Sequence, residues 1–200
     1  MSKLKGQHEV ITTLLITGVL IGVVGSILFW GMPLIQKSKD ASVLESSEEF
    51  MKTLSSKIKF IANNGGRDQL VITIPGTIKF LPNDPAGPRV QLIVDTQGTI
   101  YATEAEIPLG RNECSRIEGT WAVNEPEVLC LTSRELGTNS YVTTYRLNYI
   151  LLRTEGVVSY QIVLTGSDAT SGQGHTLYLE NTGTQQTGNL INTVVSIDIV

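Results

Sequence analysis

Three textures follow one another along the chain. From Val10 to Gln36, 27 consecutive residues carry no charge. As a helix this run spans about 40 Å, more than the ~30 Å hydrocarbon core of a bilayer. From Lys37 to Asn64 the pattern turns mixed, and Val43, Ser47, Phe50, Leu54, Ile58 and Ile61 recur at three- and four-residue steps. That spacing draws one apolar stripe along an otherwise polar helix. Glu48 and Lys52 stand four apart in the order that supports a helix. Asn63-Asn64-Gly65-Gly66 reads as its stop, since glycine ends helices readily. Beyond Gly66 the period becomes two. Leu70, Ile72 and Ile74 precede a Pro-Gly turn, with Ile78 and Phe80 after it; Val90, Leu92 and Val94 share a face. The stretch 140–166 reads as two long strands around Thr154-Glu155-Gly156, and "HTLYLE" and "INTVVSIDIV" close the chain. About eight strands separated by turn residues read as an antiparallel β-sandwich or open barrel. The expected fold class is α+β, a long hydrophobic and then amphipathic N-terminal helix followed by a β-rich head.

The apolar run has its own surface pattern. Gly18, Gly22 and Ser26 are spaced four apart and place small residues on one helix face, where a neighbouring backbone can come close in lipid. Pro33 cannot donate a backbone hydrogen bond, so a kink or interruption is expected there. Trp30 falls near the expected membrane interface, which suits an amphipathic ring. At 27 residues the run exceeds the 7–15 or so of a secretory h-region, and the exit "GMPLIQKSKD" carries no A-x-A site. Lys3 and Lys5 before the span favour a cytoplasmic N-terminus. Lys37 and Lys39 after it weaken that bias, and the cysteines favour export of the C-terminal part.

Composition narrows the function classes. A formal net charge of −4 over 200 residues is too mild and too acidic for a nucleic-acid binder. Residues 67–200 carry eight basic and fourteen acidic side chains, a net of −6, so the head surface is mildly acidic. Only Cys114 and Cys130 are present, with two histidines in the whole chain, which is wrong for a zinc knuckle. In an exported protein the default for such a pair is one disulfide, worth about 3 kcal/mol in the chain-entropy picture; the alternative is two buried thiols. No phosphate-binding glycine loop, H-E-x-x-H or G-x-S-x-G occurs, and no catalytic residue, metal ligand or cofactor is assigned. Cys130 within "VLCLT" has no partner histidine in the pattern and reads as buried in a strand. Asp84 and Asp168 lie in turns without the carboxylate density of a calcium loop. No Asn-x-Ser/Thr acceptor is found.

The order of parts is specific: a short basic leader ending in glycine, "SKLKG", a polar "QHE", about 25 apolar residues, an amphipathic helix and a β-rich head. This resembles the type IV pilin-like family, the archaeal pilins and archaellins in particular. The resemblance covers the first ~65 residues in motif and the remainder in architecture. It implies a leader at residues 1–6, cut between Gly6 and Gln7 by a membrane-embedded aspartate peptidase. It further implies a retained membrane and filament-core helix at 7–36, an amphipathic helix and linker at 37–66, and an extracellular head at 67–200. Lys3 and Lys5 then form the basic flank, and Glu9 becomes a charge available to a neighbouring subunit. Gln7 as first mature residue points to an archaeal source. The implied partners are further copies of the chain in a helical filament, the prepilin peptidase, the assembly machinery and, through residues 10–36, the membrane. The implied function is a structural subunit of an extracellular filament used for adhesion or motility. The competing expectation is a monomeric single-span surface protein whose β-sandwich binds an envelope component or ligand.

Overall fold

The computed structural model describes residues 3–156 and 158–200, with side chains from residue 10 onward. One helix, α1 (Lys3–Asn64), takes in both the apolar run and the amphipathic stretch. It passes Pro33 without a break, so the interruption expected there does not occur. Its end matches the glycine stop: Gly65 has φ +76°, a conformation that only glycine adopts freely, and its N–H donates to the Ile61 carbonyl at 2.8 Å. The chain forms two compact units, residues 1–39 and 40–200.

Among the described residues of the unit 40–200, twelve strands form two six-stranded sheets, more than the eight or so expected from the alternating runs. One sheet has the order β1 (Arg67–Val71), β11 (Thr176–Thr187), β12 (Leu190–Ile199), β9 (Ser159–Thr165), β8 (Leu151–Arg153), β5 (Glu118–Thr120). The other runs β10 (Ala169–Gly172), β2 (Thr77–Leu81), β3 (Arg89–Thr96), β7 (Ser140–Tyr149), β6 (Glu127–Gly137), β4 (Glu106–Pro108). The pairing is antiparallel except for β12 with β9 and β5 with β8, which are parallel. The expected two long strands across 140–166 are three: β7 ends at Tyr149 in one sheet, the chain crosses at Ile150, and β8 and β9 belong to the other. The reason is burial. Tyr149, Ile150 and Leu152 are all buried, so the chain has apolar cover on both sides of the crossing.

The amphipathic stripe of α1 is part of the head's core. Leu44, Met51, Leu54 and Ile58 are fully buried against Ile72, Ile78, Phe80, Leu92, Leu131 and Leu147 from the strands. Burying each such side chain is worth roughly 1.5–3 kcal/mol, and this is what holds the helix to the sheets. Polar ties fix its register. Tyr145 donates its hydroxyl to the Leu44 carbonyl at 2.8 Å, Tyr149 to the Ser55 carbonyl at 3.3 Å, and Tyr101 to the Glu48 carboxylate at 3.0 Å. Asn181 Nδ2 donates to the Ile61 carbonyl at 2.9 Å, satisfying a backbone acceptor at the helix end.

Candidate functional site

Two features of the sequence carry functional weight, the apolar part of α1 and the loop between the cysteines. The first is uncovered. From Val10 to Ile35 every large apolar side chain is exposed, and this stretch is long and apolar enough to cross a membrane. A soluble helix with this surface would leave far more contiguous apolar area in water than monomeric proteins tolerate. The small face is open: a Cβ placed on Gly18 or Gly22 would meet nothing within 4 Å. Ser26 spends its hydroxyl on its own helix, donating to the Gly22 carbonyl at 2.8 Å, and Thr17 does the same to Thr13 at 2.8 Å. Neither hydroxyl therefore needs a partner from outside, and the face can lie in lipid or against another helix without an unsatisfied donor. Gly6, Gln7 and Glu9 lie in α1 by backbone, and their side chains fall outside the described residues.

The second feature is braced from several sides. Cys114 and Cys130 form a disulfide with Cα atoms 5.8 Å apart. Cys130 sits on β6, where Val128, Leu129, Cys130 and Leu131 are buried in succession. Leu129 and Leu131 belong to the main core, whereas Val128 and Cys130 pack with Ile150, Leu152 and Cys114 in a second small core. A strand with both faces covered reads as a continuous apolar run, which explains "VLCLT". Buried Asn112 fastens the loop further, its Nδ2 donating to the carbonyls of Glu125 and Glu127, each at 2.7 Å. Lys59 of α1 reaches across to Glu127 at 2.6 Å and to Glu125 at 3.3 Å. Burial opposes its charge, but the two carboxylates outweigh burial and raise the Lys59 pKa above its ordinary value.

The acidic turns behave as turns. Asp84 accepts from the Ala86 N–H and pairs with Arg89; those two interactions, the backbone one first, hold its carboxyl below the usual carboxylate range. Among the described residues no three His, Cys, Asp or Glu side chains gather into a metal-holding group. The pattern reading overlooked Trp121, which stacks on Tyr160 with ring centroids 4.4 Å apart, and it overlooked the tyrosines that tie α1 to the sheets. A tryptophan inside a cysteine-closed loop was the available signal for the first; for Tyr145 and Tyr149 the available signal was alternation along β7, which bears on the face they occupy but not on a bond to a helix.

No family model, no curated protein and no solved structure matches the chain.

Proposed function

We propose that the chain is a structural subunit of an extracellular filament of the type IV pilin-like kind, held in the membrane by its apolar helix before assembly. The observation that carries this reading is the division of labour within α1. Its first part is apolar and wholly uncovered, while its last part, from Leu44 to Ile61, is a core element of a β-sandwich. A helix of this kind loses little on leaving the bilayer when its faces pack on identical helices, so one segment serves as anchor and then as filament core. The disulfide supports an oxidising, exported setting for the head. No enzymatic role is assigned.

A second reading, a static single-span surface protein whose head binds an envelope component, is favoured by a cleft in the head lined by Trp121 and Tyr160. Processing separates the two. A filament subunit requires the cut between Gly6 and Gln7, which removes Lys3 and Lys5 from the end that must enter an apolar core. N-terminal sequencing and intact mass of protein from native membranes or filaments are expected to give Gln7 as first residue. Gly6→Leu is expected to leave only the uncut form. Native protein that still begins at Met1 or Ser2 would replace the filament reading with the static anchor.

A further inference from the structure

A cleft of ligand size, about 340 Å³, lies between the end of α1 and the strands of the head, and its walls have a consistent chemistry. Trp121 and Tyr160 form one side, with their rings tilted 36° to each other. Trp121 remains 47% exposed, although tryptophan is costly to leave in water. Ala62, Pro126, Leu152 and Ile162 add apolar surface. The polar lining is mostly uncharged amide and hydroxyl: Asn63, Asn124, Gln161 and Thr193.

These amides are largely uncommitted. Asn124 accepts the Thr120 N–H on its Oδ1 at 2.8 Å, which leaves its Nδ2 free of any other described residue. Asn63 and Gln161 likewise make no side-chain hydrogen bond among the described residues. The two charged side chains in the lining are Lys59 and Glu125, and Lys59 is paired with Glu125 and with Glu127, so no unpaired cation among the described lining residues faces a ligand. That excludes a site built for phosphate or carboxylate groups.

The aromatic wall is held rigidly. Thr120 and Asn124 bond to each other through both the Asn124 N–H and its Oδ1. Between them Ala122, itself in the lining, is kept at φ +63°, a left-handed conformation that a non-glycine residue holds only where its surroundings impose it. Gly119 admits this close turn: a Cβ there would come within 2.8 Å of Asn124 Cβ and 3.0 Å of Leu152 Cδ2. The Trp121 N–H donates to the Arg153 carbonyl at 2.8 Å, and the Cys114–Cys130 bond closes the loop around the turn.

We propose that this cleft is a binding site for a neutral saccharide, one pyranose ring lying on the exposed face of Trp121. The C–H groups on one face of a pyranose are weakly positive and pack on the negative face of an aromatic ring. Its hydroxyls each donate and accept, which matches side-chain amides that also do both. Asn63, Asn124 and Gln161 are placed to read those hydroxyls. A peptide is the less suitable occupant, because the adjoining sheet edge, β5, offers only the three residues Glu118–Thr120 for strand pairing. The site stands under either reading of the chain's function.

The test uses full-length protein in a sugar-free detergent. Trp30→Phe leaves Trp121 as the one tryptophan of the chain, since there are two in all. Its fluorescence is titrated with cellobiose, maltose and N,N′-diacetylchitobiose. At least one is expected to give a saturable change with a Kd on the order of 1 mM, and Gln161→Ala to weaken it roughly tenfold or more. Saturation-transfer NMR on the sugar protons should show transfer that is lost in Trp121→Ala and kept in part by Trp121→Phe, with non-reducing electrophoresis confirming the disulfide in each variant. No saturable response to any of the three sugars overturns the proposal, as does undiminished transfer in Trp121→Ala. A proline-rich peptide that saturates the Trp121 signal where the sugars do not would overturn it in favour of a peptide site.

Discussion

At the scale of single residues, the hydroxyls of Tyr101, Tyr145 and Tyr149 have the clearest consequence. Burial, joined by the nearby Glu48 carboxylate, pushes the Tyr101 phenol up to about 12. Burial raises Tyr145 and Tyr149 as well. The fold therefore holds these groups neutral, while in the unfolded chain they ionise near 10.0. Stability is complete below that value and falls as pH rises from it through about 12, because the folded state then binds more protons than the unfolded one. The melting temperature is expected to hold to about pH 10 and drop steeply above it. Tyr145→Phe removes one of these groups and its bond to the Leu44 carbonyl. It should cost about 1 kcal/mol at neutral pH and make the alkaline loss shallower. Thermal melts by circular dichroism across this range check both; a variant with the same alkaline slope would mean Tyr145 does not contribute. The inward position of Tyr145 was legible from alternation along β7. Its partner was not, because a carbonyl 101 residues away leaves no local trace.

At the scale of elements, α1 combines two surfaces that obey different solvents. Its last half was legible as a stripe, and Phe50, Leu54, Ile58 and Ile61 are buried as that stripe requires. Its first half was legible as a membrane-length run, and the structure leaves it uncovered. The small face there makes a prediction. If Gly18, Gly22 and Ser26 admit a neighbouring helix, Gly22→Leu pushes it away while raising hydrophobicity. Within the chain itself the new side chain meets nothing, since no atom lies within 4 Å of a Cβ at Gly22. Membrane insertion and protease resistance of the head are expected to persist, and filaments to be lost by electron microscopy. Normal filaments from this variant would remove the small face from the assembly contact. The strands show the limit of periodicity. β6 defied simple alternation because the loop closed by Cys114 covers its second face, so a two-sided strand replaced a one-sided one.

At the scale of the whole molecule, the unit 40–200 is closed by one covalent bond and two apolar cores. Replacing Cys114 and Cys130 together by serine should cost about 3 kcal/mol, or roughly 6–12 °C in melting temperature. The loss should concentrate in the small core around Val128, Ile150 and Leu152, and hydrogen exchange there should rise before that of Leu92 or Leu147 in the main core. Equal protection in the variant and the parent would mean that the disulfide is dispensable. The sequence by itself determined the class of the fold, the extent of the apolar segment, the buried stripe of α1 and the pair of cysteines. These are properties of spacing and composition, and a helix period or an uncharged run expresses itself wherever the chain goes. Tertiary structure alone decided that the strands number twelve, that Ile150 carries the chain from one sheet to the other, that β9 runs parallel to β12, and that Trp121 meets Tyr160. Alternation says which face of a strand is buried but not which strand lies beside it, and neighbours are chosen by contacts between residues far apart in the chain.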